Sequence, residues 1–158
     1  MKINIICVGK LKEDFSKSAA AEYEKRLGRF CDVNIINIPD KSIPENPSQA
    51  QIEAVIAQEG EQILKKIAKG DYVVAMCIEG KELSSEAFAQ KLADIQMQSS
   101  VISFVIGGSL GLCDKVKKLA NFKLSLSHMT MPHNIARIVL EEQIYRGFKI
   151  MANETYHK

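Results

Sequence analysis

Two stretches of the chain combine residue types that ligand chemistry needs. In VISFVIGGSLGL, residues 101–112, an apolar strand runs straight into Gly107, Gly108 and Gly111. Bare main chain is thereby expected at the carboxyl edge of a parallel sheet, the edge at which open α/β folds bind ligands. Glycine there lets a ligand approach the backbone, yet a tight strand-to-helix turn needs glycine for its own conformational reasons, and spacing leaves both readings open. The order G-G-x-x-G is not the dinucleotide fingerprint, and no Gly-Lys-Ser/Thr follows to make a Walker loop.

The second stretch is LSLSHMTMPH, where a strand runs out through Leu126 into Ser127, His128, Met129, Thr130 and Met131 ahead of Pro132. Its amides, carbonyls and hydroxyls suit an adenine and a ribose. Taken alone, the plainer reading is a helix N-cap region, with Thr130 capping and His133 exposed. The ending NETYHK brings Tyr156, His157 and Lys158 together. These could stack on a base, move a proton and touch a phosphate, whereas most such tails are frayed ends. His128 and His133 have no cysteine or carboxylate companions at ligand spacing, so no metal is expected. No Ser-His-Asp set can be assigned either.

These segments must be positioned by regular elements. Ile3, Ile5, Ile6 and Val8 form a β-rich run that stops at Gly9. A helix over 13–30 follows, with Phe15, Ala19, Tyr23, Arg26 and Leu27 near one face. Residues 33–39 read as a buried strand, and Pro39, Pro44 and Pro47 then mark a long loop. Ser48 and Gln51 fit a capping box opening a helix over most of 49–68, and Gly70 stands where a helix end would release. Strands at 72–78, 101–106 and 122–126 alternate with helices at 84–97 and just after the glycines. Pro132 can occupy the first turn of a last helix running to about Phe148. That helix gathers Ile135, Ile138, Val139, Glu142, Tyr145 and Arg146 near one side, either a dimer face or a core face with snorkelling charges. The alternation predicts an α/β fold with a parallel-rich sheet covered by helices on both faces, as one domain over 1–158.

The totals agree. A chain of 158 residues, 46% hydrophobic and 25% charged, can bury one proper core. No apolar run approaches the roughly 20 residues needed to cross a bilayer. The start lacks a small-residue cleavage site, so neither export nor membrane association is expected. Cys7, Cys31, Cys77 and Cys113 are scattered through apolar segments and read as reduced packing residues. A net charge of +2 argues against coating nucleic acid by bulk electrostatics, while allowing a local basic patch.

Read together and in order, IICVGKLKE, EYEKRL, EGEQIL, FVIGGSLGL, LSLSHMTMPH, RIVLEEQIYRGFKI and the final YHK resemble the RlmH family. These are small knotted SPOUT-class methyltransferases acting on a pseudouridine of 23S ribosomal RNA. The resemblance spans essentially the whole chain. It implies a C-terminal trefoil knot whose loops hold S-adenosylmethionine, with cofactor contacts on Met76, Gly107 and its neighbour Gly108, and Leu126 through Met131. It also implies a cytoplasmic homodimer in which one subunit's tail completes the other's site. Tyr156 and His157 are then candidates for handling the target base, and Arg146 and Lys158 for base or phosphate contact. Leu110, Asn134 and Gly147 depart from the usual pattern, without removing a cofactor contact.

On this reading the enzyme aligns an imino nitrogen with the methyl carbon and helps to remove its proton, with His157, a water or a backbone group as acceptor. The small charge points to assembled ribosome as substrate, with neither DNA nor membrane as partner. Two rivals remain: a knotted methyltransferase acting on transfer RNA, and a non-enzymatic ribosome assembly factor whose glycine-rich turn is structural.

Overall fold

The computed structural model describes residues 1–156; His157 and Lys158 lie outside them. Five strands, β1 (Lys2–Val8), β2 (Asp32–Ile38), β3 (Tyr72–Glu82), β4 (Val101–Ile106) and β5 (Phe122–Ser125), alternate with α1 (Asp14–Leu27), α2 (Gln49–Leu64), α3 (Ser85–Gln96), α4 (Asp114–Leu119) and α5 (His133–Met151). The strands form one parallel sheet in the order β2-β1-β4-β3-β5. β1 and β4 sit inside it, which explains why both are almost wholly apolar.

Alternation along the strands builds two cores. Ile3, Ile5, Cys7 and Phe104 face Leu27 of α1, Leu92 of α3 and Leu140 and Ile144 of α5. Ile6, Val8, Val73 and Val105 face Ile63 of α2 and Val116 of α4. Helices thus cover both faces, as expected. One polar line crosses the sheet: the Asn34 amide donates to Asn4 Oδ1 (3.1 Å), the Asn4 amide to Ser103 Oγ (3.0 Å), and the Ser103 hydroxyl to Asp71 Oδ2 (2.7 Å).

The capping box is present: Ser48 Oγ accepts from the Gln51 N–H and the Gln51 side chain from the Ser48 N–H. The helix stops at Leu64, sooner than expected, and Gly70 (φ +100°) serves the turn into β3 instead of the helix end. α1 also stops at Leu27, and its buried positions are Ser16, Ala20 and Leu27, while Phe15 is 61% exposed. Small side chains let α1 approach α5 closely, so its inner face is rotated from the apolar stripe that periodicity picks out. β2 is an edge strand, only half-buried along most of its length.

β3 runs four residues beyond its expected end and, after a register break between Met76 and Lys81, pairs Lys81 with Leu124 and Glu82 with Ser125. Gly80 makes that possible, since a Cβ there would lie 2.6 Å from the Leu124 carbonyl carbon. At Gly147 a Cβ would meet Leu92 Cδ1 at 2.8 Å, so glycine lets α5 cross α3 closely.

Candidate functional site

The carboxyl ends of β3, β4 and β5 open onto one cleft of about 780 Å³. Its far wall is the turn after β4, where the Gly111 N–H donates to the Gly108 carbonyl (3.0 Å) and Gly111 takes φ +83°. At Gly107 a Cβ would lie 2.7 Å from the Gly111 carbonyl carbon and oxygen. Turn geometry therefore requires glycine at 107 and 111, and the same turn lines the cleft. Behind it, a Cβ at Gly108 would approach Glu59 Oε2 to 3.1 Å. Glu59 is buried and accepts the Lys41 N–H (3.1 Å), tying the proline-rich loop to this turn. Burial pushes its carboxyl above the usual range.

The near wall is the loop after β5, pinned by its own side chains: the Ser125 hydroxyl donates to the Ser127 carbonyl (3.0 Å), and Ser127 Oγ accepts the Met129 N–H (3.0 Å). Met76, Gly107, Gly108, Leu126, Ser127, Met129, Thr130 and Met131 all line the cleft. The glycine-rich turn and the SHMTMP loop thus face each other across it. His128 does not line it; its side chain is 80% exposed, with Nδ1 3.9 Å from Glu82 Oε1.

Thr130 does not cap α5. Pro132 occupies the N-cap position itself, without a side-chain cap, and the helix starts at His133. His133 is not exposed: half-buried, it lines the cleft and packs on Gly9, where a Cβ would meet its Nε2 at 2.9 Å.

Sequence reasoning missed Cys77, Glu79 and Lys117, which close one end of the cleft. Glu79 and Lys117 form an ion pair that holds the carboxyl below and the ammonium above their usual ranges. The extension of β3 past residue 78, the end expected from sequence, brings Glu79 there.

Beside the cleft, α5 buries a charged cluster. Arg137 Nε donates to Glu141 Oε1 (2.8 Å) and Nη2 to Glu24 Oε1. Glu141 is fully buried and its Oε2 has no hydrogen-bond partner among the described residues. Burial outweighs the Arg137 pairing, and the Glu141 carboxyl is pushed up to about 7. The cysteines are unpaired; burial lifts the Cys7 thiol to about 12 and Cys31 to about 11, as inert packing residues require.

Of the candidate catalytic groups, Arg146 and Tyr156 do not line this cleft, and His157 lies outside the described residues. Arg146 lies ten residues beyond the cleft-lining Ala136 along α5, a rise of about 15 Å. The tail folds back so that Arg146 lies over the Tyr156 ring at 4.7 Å, Tyr156 meets Tyr145 edge-on at 4.9 Å, and its hydroxyl donates to Glu142 Oε1 (3.2 Å). Burial, with the Glu142 charge next, raises the Tyr156 phenol to about 12. α5 turns Arg137, Leu140, Glu141, Ile144, Gly147 and Phe148 inward. The stripe of Ile135, Ile138, Val139, Glu142, Tyr145 and Arg146 is only half-buried, so it is not the core face.

Residues 1–157 match a family model described as predicted SPOUT methyltransferase. The chain is 54% identical over its full length to the ribosomal RNA large subunit methyltransferase H of Ligilactobacillus salivarius, all of which it covers. It is 50% identical, again over both full lengths, to the protein of that name from Streptococcus uberis. Among solved structures it resembles a probable methylase family protein from Haemophilus influenzae, at a TM-score of 0.56 and 14% identity, covering 99% of this chain and 70% of the other.

Proposed function

The chain belongs to the SPOUT methyltransferase family, and from that premise we propose that it is an S-adenosylmethionine-dependent methyltransferase of large-subunit ribosomal RNA, one domain over 1–158. The target is N3 of a pseudouridine in 23S ribosomal RNA, presented on the assembled ribosome in the cytoplasm to a homodimer. One observation carries this reading: the turn at Gly107 and the loop at 126–131 meet around one cleft, walled largely by main chain and aliphatic side chains.

That donor set fits the cofactor. Ile106, Leu124 and Leu126 give apolar surface for a purine, while Ser127 and main-chain groups of 107–108 and 126–131 offer hydrogen bonds to a ribose and an amino acid. Met76, Gly107, Gly108, Leu126, Ser127, Met129, Thr130 and Met131 would hold it, with His128 contributing main chain. The family also implies a C-terminal trefoil knot. The cofactor supplies a methyl group activated on a sulfonium.

The protein's own work is to orient the acceptor nitrogen and take its proton. Tyr156, with its phenol raised to about 12, stays protonated near neutrality; its proton is held by Glu142, which leaves the ring to stack on the base and the oxygen to accept from it. His157 is the candidate proton acceptor and Arg146 the candidate contact to base or phosphate. Within one chain Arg146 and Tyr156 lie along α5 from the cleft, so a second copy must bring its tail there. The half-buried outer stripe of α5 and the 61% exposed Phe15 support such a partner.

Mass spectrometry of ribosomal RNA from cells with and without the protein tests the reading: loss of one methyl from a large-subunit pseudouridine is expected, and unchanged ribosomal RNA refutes it. Methyl incorporation into transfer RNA alone would favour the transfer RNA rival, and absence of any calorimetric response to S-adenosylmethionine the assembly-factor rival. A chain ending at Asn153 should still bind cofactor but transfer methyl about 10²-fold or more slowly. Transfer at the full rate by that chain excludes a catalytic tail.

A further inference from the structure

A second depression, of about 280 Å³, lies between α1 and the end of β2, lined by Lys10, Leu11, Lys17, Glu24, Asn37 and Arg137 among others. Arg137 is 6% exposed, and two carboxylates fix it: Nε on Glu141, Nη2 on Glu24. Nη1 makes no hydrogen bond to any described residue and belongs to a side chain that forms the wall. Three cations thus converge on a space that contains one carboxylate, Glu24. The volume is several times the ≈30 Å³ share of a water molecule, room for a tetrahedral anion with part of its hydration. Lys17 is otherwise engaged only with Asp14, at 3.7 Å, where the carboxylate is fully solvated and the pair is weak. A planar guanidinium held by its other edges, flanked by lysine ammonium groups, is the arrangement that recognises phosphate oxygens.

Its location gives the anion a source. Gly9 packs on the His133 ring, which lines the main cleft, and Lys10 follows immediately. His133 and Arg137 are successive turns of α5, about 6 Å apart in rise. The two depressions therefore lie back to back across Gly9 and His133. We infer that the depression formed by Lys10, Lys17 and Arg137 is a phosphate seat for the RNA substrate, gripping the backbone beside the nucleotide presented to the cleft. This rests on the methyl-transfer reading and adds to it the contact that registers the RNA. It also reconciles a net charge of only +2 with an RNA substrate, because the cations are concentrated where they are needed.

The test is the double variant Lys10→Gln/Lys17→Gln, which leaves buried Arg137 and its carboxylates in place. Titrating inorganic phosphate into the wild-type protein should shift the amide resonances of Lys10, Leu11 and Lys17 and the Arg137 Nε–H, and the variant should lose most of that response. S-adenosylmethionine affinity should stay within about twofold. KM for the ribosomal substrate should rise about tenfold, and the slope of log affinity for RNA against log salt should flatten by about 1.4, near 0.7 per lost contact. Unchanged KM and salt slope in the variant, with methyl transfer intact in the wild type, overturns the seat and leaves the methyl-transfer reading standing. Phosphate that shifts none of these resonances also overturns it. A wild-type protein that methylates no RNA, yet shows the phosphate response, removes the methyl-transfer reading and the RNA occupant with it.

Discussion

Replacing Gly107 by alanine puts the proposed cofactor cleft under direct strain. The new Cβ would lie 2.7 Å from both the carbonyl carbon and oxygen of Gly111 and 3.1 Å from Leu112 Cδ2. Ordinary carbon contacts begin near 3.5 Å, so the turn must open by about 0.8 Å. Leu112 is 6% exposed and has little room to yield. A binding site tolerates displacements of only about 0.5 Å, and a 1 Å misplacement can cost about 10²-fold. Affinity for S-adenosylmethionine should fall about 10- to 100-fold, equivalent to about 1.4–2.8 kcal/mol. Overpacking should also reduce folding stability by about 1–3 kcal/mol. Gly70→Ala is the matched control: φ is +100° and nothing lies within 4 Å of its Cβ position. It should lose about 1–2 kcal/mol to backbone strain alone and leave cofactor affinity intact. Calorimetry for binding and urea unfolding for stability separate the effects. Cofactor binding by Gly107→Ala within twofold of wild type, or an equal loss in Gly70→Ala, refutes the claim that the 107–111 turn shapes the cleft.

Glu141 predicts a pH dependence. Its carboxyl is raised from 4.5 to about 7 in the folded chain, so the protonated form stabilises the fold. That contribution is present in full below about 4.5 and lost as pH rises through about 7; Glu141→Gln should flatten this part of the stability profile in urea titrations at stepped pH, and an unaltered profile counts against it. Ser48→Ala removes the side chain that accepts the Gln51 N–H, and should cost about 1 kcal/mol and lower Tm by about 2–4 °C by calorimetry, without touching cofactor affinity.

How far the fold could be read from residues alone depended on whether a signal was local. β4 runs from Val101 to Ile106 in both sequence and structure, because an apolar run bounded by polar residues and glycine has only one way to be a buried strand. The capping box at Ser48 was equally local. The inner face of α1 was not: Phe15 marks the apolar stripe, yet Ser16 and Ala20 are buried, because close approach to α5 selects small side chains. The extension of β3 past Met76 depends on β5 accepting a second register, a pairing absent from either segment by itself. For the same reason Glu79 and Lys117 were invisible as cleft residues. The glycine-rich turn and the SHMTMP loop were legible as strand ends, but only the chain path brings them face to face. The Tyr156 contact with Glu142 links residues of one helix and a returning tail, which no periodicity encodes.

The line of side chains from Asn34 through Asn4 and Ser103 to Asp71 has a consequence for assembly. Aliphatic strands are interchangeable partners: valine against isoleucine tolerates a slide along the neighbour almost as well as the correct alignment. Moving β1 by one residue along β4 would turn Asn4 into the hydrocarbon layer opposite and strand Ser103 without its donor, each at about 1–3 kcal/mol. Four hydrophilic groups thereby act as a notch key, rejecting misaligned sheets that grease alone would accept. Because the alignment of β4 against β1 sets how far Ile106 projects, the same key determines where the turn at Gly107 begins.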